Sequence, residues 1–146
     1  MLRQHGPYEI DDARERFDVA TVQRWLATTY WWNGADEATP QRIARACAHS
    51  ASVIGAYLDG RQVACARVVS DLTRFAWLAD VFVEEQHRGR GLARAMVRFA
   101  LDHPDYATIT RFMLATHDAH EVYAATGFTP LAKPQSLMER RPPRDN

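Results

Sequence analysis

The chain is short of most features that mark secreted, membrane-spanning and nucleic-acid-binding proteins. It has two cysteines, Cys47 and Cys65, in no recurring pattern. Cysteines so placed fit a reducing compartment, where they serve as small core residues. No apolar run approaches the roughly 20 residues of a membrane span, and the start Met1-Leu2-Arg3-Gln4-His5 lacks the apolar centre of a signal peptide. The expected location is therefore the cytoplasm. Charge of either sign is not in excess: 18 basic residues balance 18 acidic ones, for a formal net charge of +0. A surface that must neutralise many phosphates needs a basic surplus, so nucleic acid is a poor partner. Repeats and Gly/Ser linkers are also missing.

What remains is the composition of one globular domain: 146 residues, of which 47% are hydrophobic and 25% charged. A domain of this length can bury roughly 70% of its unfolded surface without a disulfide scaffold. The whole chain, 1–146, is read as a single domain with a core from about Tyr8 to Met138. The charged, proline-broken segment 139–146 is expected to fray.

Along the chain, Asp18 stands as a helix cap before Val22, Trp25, Leu26 and Tyr30 at helical spacing. Thr39-Pro40 opens a second helix with Ile43, Ala44, Cys47 and Ala48 on one face. Three strand-like runs follow, Ser52 to Leu58, Gln62 to Val69 and Arg74 to Val83. The Asp59-Gly60 pair suits a tight turn between the first two, and the three form an antiparallel meander. A helix with Leu92, Ala93, Met96, Val97, Ala100 and Leu101 on one face ends before Pro104. The run Thr108 to Leu114 then pairs parallel with Arg74 to Val83 through a right-handed crossover. A short helix near Asp118 to Ala125 and a last extended piece at Leu137-Met138 complete an α/β fold, a mixed sheet flanked by helices with an antiparallel and a parallel half.

The chemistry is concentrated in Val81 to Arg94, a strand passing through a glycine-bearing turn into a helix. Amides in the first turn of a helix have no internal acceptors, and the glycines Gly89 and Gly91 let an anion approach them, with Arg88, Arg90 and Arg94 adding charge. Neither a G-x-x-x-x-G-K-[ST] loop nor a dinucleotide fingerprint is present, so nucleoside triphosphate and NAD are excluded as ligands of this turn.

Arg88-Gly89-Arg90-Gly91-Leu92-Ala93 resembles the [QR]-x-x-G-x-[GA] signature of the GNAT family of N-acetyltransferases, which cradles the pyrophosphate of acetyl-CoA. The late segment Tyr123-Ala124-Ala125-Thr126-Gly127-Phe128 and the order of elements extend the resemblance over about Tyr8 to Met138. It implies that Val81, Phe82 and Val83 form a splayed strand end whose backbone pairs with the pantetheine arm. It also implies that the Val83 N–H polarises the thioester and that Tyr123 is the general acid toward the coenzyme sulfur. With Arg88 to Arg94 these are the expected coenzyme contacts. Where many relatives carry a coenzyme-binding asparagine this chain has Thr116, which keeps only a hydroxyl.

Transfer is expected to be direct, with neither cysteine carrying the acyl group. A proton can leave the amine through water ending at a carboxylate, and Asp80 and Glu84 flank the strand end. Asp80 either faces the pocket or pairs with Arg67 or Arg74. Tyr30, Trp31, Trp32 and Asp36, between the first two helices, are the candidate wall for a cationic or ring-bearing amine or else close the core. His117 and His120 gain no third partner by spacing, so no metal is expected. The expected activity is acetyl transfer to a small-molecule amine, with a non-catalytic acyl-CoA sensor or interaction module as the alternative. Domains of this kind often associate, so a homodimer is allowed.

Overall fold

The computed structural model describes residues 1–143. One sheet organises them, with six strands in the order β1 (Leu2–His5), β2 (Tyr8–Asp11), β3 (Ser52–Leu58), β4 (Arg61–Ser70), β5 (Phe75–Val83) and β6 (Arg111–Met113). All neighbours are antiparallel except β5 and β6, which are parallel. Helices α1 (Val19–Leu26) and α2 (Pro40–Ala48) cover one face, and α3 (Leu92–Leu101) with the short α4 (His120–Ala124) lies against the other.

Local chemistry accounts for the element ends. Asp18 accepts from the Thr21 N–H at 3.0 Å and Thr39 from the Arg42 N–H at 3.3 Å, so both helices start on capping side chains. Helix α1 does not reach Tyr30. The hydroxyls of Thr28 and Thr29 bond back to the carbonyls of Trp25 and Leu26, and Tyr30 to Trp32 form a separate turn ended by Asn33 at φ 55°. Asp59 and Gly60, at φ 49° and 80°, make the tight β3–β4 turn. Between β4 and β5, the exposed Asp71 carboxylate accepts from the amides of Thr73, Arg74 and Phe75, which lowers its pKa to about 2.

Two elements depart from the sequence reading. Leu2–His5 is a strand, paired with Tyr8–Asp11 across Gly6-Pro7, so the sheet begins before the expected core boundary. Its residues alternate between exposed and half-buried, which is why four mostly polar residues gave no apolar signal. At the other end, Leu137-Met138 is not a strand. Pro134–Ser136 forms a 3₁₀ turn, and Met138 is 98% exposed with no neighbouring strand to join. Residues 139–143 are exposed coil, and the remainder of the expected tail, 144–146, lies outside the described residues.

Two apolar clusters sit on the two faces of the sheet. On the α3 face, Met96, Phe99 and Ala100 meet Ile54, Ala66 and Leu78; on the other, Val22, Leu26, Ile43 and Cys47 meet Val53 and Cys65. Both cysteines are buried, and desolvation raises their thiol pKa values, so they pack as hydrophobic residues. Tyr57 lies over Gly55, and its buried hydroxyl has no hydrogen-bond partner among the described residues. A Cβ on Gly55 would come within 2.8 Å of Cε2 of Tyr57 and nearer still to the hydroxyl end of the ring. Gly55→Ala is therefore expected to destabilise the fold by about 1–3 kcal/mol through overpacking, read as a lower urea midpoint. Combining it with Tyr57→Ala should recover the overpacking component.

Candidate active site

The site is built where two strands part. Parallel pairing between β5 and β6 is limited to Phe75 with Arg111, Ala76 with Phe112 and Trp77 with Met113. Strand β5 continues to Val83, so among the described residues Leu78 to Val83 run on without a partner strand on that side. A cleft of about 1410 Å³ opens along this edge. Glu84 donates its N–H to Val63 of β4, so the alternation of a strand turns the polar groups of Val83 away from β4 and toward the gap. Its carbonyl accepts from Nε of Arg88 at 2.8 Å.

At the mouth of α3, Gly89 and Gly91 have φ angles of 75° and 72°, a conformation that glycine adopts without a Cβ penalty. Gly91 caps the helix with no side-chain bond, and the first helical bond runs from Ala95 N–H to Gly91. The amides of Gly91, Leu92, Ala93 and Arg94 thus have no acceptor among the described residues. They form the positive end of a ten-residue helix, and Gly89, Gly91 and Ala93 line the cleft. Arg88 and Arg94 line it too, with the Arg88 guanidinium lying 5.5 Å from the Phe82 ring.

Arg90 departs from this arrangement. Its guanidinium donates to the Tyr8 hydroxyl at 3.1 Å and does not line the cleft, so its side chain is not brought together with the other expected coenzyme contacts. The Tyr8 hydroxyl also shares a hydrogen bond with Nδ1 of His87 at 2.9 Å, and His5 Nε2 bonds the Arg90 carbonyl at 2.9 Å. The β1–β2 hairpin therefore braces the turn from behind. Sequence reasoning missed this support; the aromatic and histidine just beside Gly6-Pro7 were the available signal.

Strand β5 carries a bulge at the site. Cys65 faces Phe82 and Arg67 faces Ala79, so Ala66 stands opposite two residues, Asp80 and Val81. Asp80 takes φ 54°, and its buried carboxylate collects three donors: Arg67 Nε at 2.7 Å on one oxygen, and the indoles of Trp31 and Trp32 at 2.9 and 2.8 Å on the other. Of the two placements the sequence left open, both are observed: Asp80 lines the cleft and pairs with Arg67, its carboxylate committed to three donors at the pocket wall. Glu84 is held by Arg61 at 2.9 Å.

Tyr30, Trp31 and Trp32 line the cleft, with Tyr30 and Trp31 48% and 43% exposed. Asp36 does not line it; Glu37, bonded to Arg42, does. Across the gap, Tyr30 stacks on His117 with ring centroids 4.7 Å apart, and its hydroxyl accepts the His117 N–H at 3.3 Å. Thr116 also lines the cleft, but its hydroxyl accepts the Ala119 N–H in the turn that leads into α4. Among the described residues no three His, Cys, Asp or Glu side chains form a group that could hold a metal ion.

Tyr123 reaches the cleft from α4, its ring edge-on to Phe128, and its hydroxyl has no hydrogen-bond partner among the described residues. Burial, with smaller contributions from Tyr30 and Asp118, pushes its phenol up to about 12. Tyr57 is raised to about 12 as well, also by burial.

Two predictions follow from this geometry. The unfolded phenols ionise near 10 and these two folded ones near 12, so their contribution to stability is constant below pH 10 and declines between 10 and 12. Absorbance at 295 nm should show Tyr57 and Tyr123 among the late-ionising tyrosines, with Tyr123's step lost in Tyr123→Phe. Asp80→Ala strands Arg67 and two indole N–H groups, and should cost roughly 3–5 kcal/mol in denaturant unfolding with a red-shifted tryptophan emission.

The sequence profile described as "Acetyltransferase (GNAT) family" matches residues 12–128. A solved structure from Xanthomonas campestris, assigned to the GNAT family, is 43% identical, with a TM-score of 0.85 over 93% of this chain and 94% of that one. A Deinococcus radiodurans R1 structure shares the fold at 18% identity, TM-score 0.70, over 95% and 91% of the two chains. A Clostridium acetobutylicum structure, described as a predicted acetyltransferase with acetyl-CoA, shares it at 14% identity, TM-score 0.68, over 97% and 96%. A search of curated proteins gave no significant match. With the profile covering most of the sequence and the unsatisfied amides at the mouth of α3 in the family's motif, the chain belongs to the GNAT acetyltransferase family.

Proposed function

We propose that the protein is an acetyl-CoA-dependent N-acetyltransferase that acetylates the amine of a small molecule by direct transfer. The observation that carries this reading is the run of acceptor-free amides from Gly91 to Arg94, flanked by the side chains of Arg88 and Arg94 and opening on the unpaired edge of β5. The amides and arginines suit a pyrophosphate, and the strand edge suits an amide-bearing arm that adds to it like another strand. Acetyl-CoA has both parts.

Each residue's part follows from what it has free. The Val83 N–H, turned into the gap, hydrogen-bonds the thioester oxygen as negative charge develops there. The amine nitrogen, having lost its extra proton to water, bonds to the acetyl carbon; the carbon–sulfur bond breaks, and the second amine proton leaves to water. Tyr123, protonated throughout the neutral range, meets the departing thiolate with its O–H and passes it a proton replaced from solvent. Asp80 and Glu84 are engaged by arginines, so Asp80 acts as a positioning residue and water serves as the first proton acceptor.

Calorimetry with coenzyme A and thiol release from acetyl-CoA with an amine panel test the reading. Tyr123→Phe should lower kcat about a hundredfold with the coenzyme Kd within about twofold of the parent. An unchanged kcat removes Tyr123 from the mechanism, and absence of coenzyme uptake by folded protein overturns the function.

A further inference from the structure

The acceptor side of the cleft has a chemical character of its own. Ala76 and Leu78 of β5 are buried in the core on the α3 face, so Trp77 between them points to the face that carries α1 and α2. It stands at the last β5–β6 pair, where the gap begins, and lines the same cleft as Tyr30 and Trp31. The latter two meet edge to face at 5.2 Å, and Trp31 is anchored by its indole N–H on Asp80. Three large rings thus border one side of the opening, two of them more than two-fifths exposed.

Charge on this side is also distributed unevenly. Arg42 is bonded to Glu37, Arg67 to Asp80 and Arg141 to Glu139, so the cleft cations away from the phosphate turn each already have a carboxylate. Asp118, exposed at the cleft near Tyr123, has no ion-pair partner among the described residues. An acceptor carrying a carboxylate finds no uncommitted cation here, and a polyamine finds one free carboxylate for several charges. A single ammonium on a flat apolar group matches both the rings and the charge.

Resting on the acetyltransferase reading, we infer that the acceptor is an arylalkyl monoamine without a carboxylate, its ring against Tyr30, Trp31 and Trp77 and its ammonium facing Asp118 before deprotonation. The amine then gives the N-acetyl amide and free coenzyme A thiol, its surplus proton leaving to water. Rings supply the affinity and Asp118 draws in the cation.

Three probes separate the determinants: 2-phenylethylamine has ring and single amine, phenylalanine adds a carboxylate, and spermidine has charge without a ring. Thiol release with acetyl-CoA should show kcat/KM for 2-phenylethylamine at least about tenfold above both others. Calorimetry on protein loaded with coenzyme A should give the same order of binding, a readout that needs no turnover. Trp77→Ala and, as a surface variant that spares the sheet, Tyr30→Leu should each raise the 2-phenylethylamine KM about five- to tenfold while leaving coenzyme affinity unchanged. Equal or better use of spermidine or phenylalanine, or an unmoved KM in Tyr30→Leu, overturns the inference alone. Ring-selective binding without thiol release supports the pocket and overturns the transferase reading; no coenzyme uptake overturns both.

Discussion

Beyond Trp77, strand β5 has to run on with one edge bare, and the rest of the site is arranged around that constraint. A strand edge inside a protein cannot leave its amides and carbonyls unsolvated, so the edge is kept at a cleft open to solvent. Directly after it, the chain turns through two left-handed glycines into a helix whose first amides are also unsatisfied. Two separate sets of backbone donors and acceptors therefore open on one space, within a short stretch of sequence. That juxtaposition suits a long ligand with amides in the middle and phosphates at one end, and it needs few side chains.

The bulge at Asp80 connects this backbone site to the opposite wall. An extra residue bends β5 as it leaves its neighbour, and the carboxylate it buries is shared by an arginine of β4 and two tryptophans of the α1–α2 connection. A buried anion with three donors fixes its partners more than it stabilises the fold. The aromatic wall and the Val83 amide are thereby held to one another through three residues of strand. On the proposed reading, selection of the acceptor and polarisation of the acyl group share a single support.

Much of this was readable from residue order. Asp59-Gly60, Thr39-Pro40 and the apolar stripe of α3 announced their elements because turn and helix rules act over a few residues. The turn at Arg88 to Ala93 was legible for the same reason, since its chemistry lies in its own backbone. What escaped depends on contacts distant in sequence. Arg90 looked like another phosphate ligand until Tyr8, 82 positions away, claimed its guanidinium. Asp80 was ambiguous because its partners lie 48, 49 and 13 positions off. Asp36 was chosen by its place beside the aromatic run, and it is the neighbouring Glu37 that lines the cleft.

The hairpin of β1 and β2 gives the amino-terminal residues an unexpected reach. His5 holds the main chain of the turn at Arg90, while Tyr8 grips the same residue's side chain and His87 at once. The turn ahead of α3 is thus braced from the far end of the polypeptide, by His5 of the outer strand β1 and by Tyr8 of β2 beside it. Neither His5 nor Tyr8 lines the cleft, so a change at either would reach the mouth of α3 from outside it.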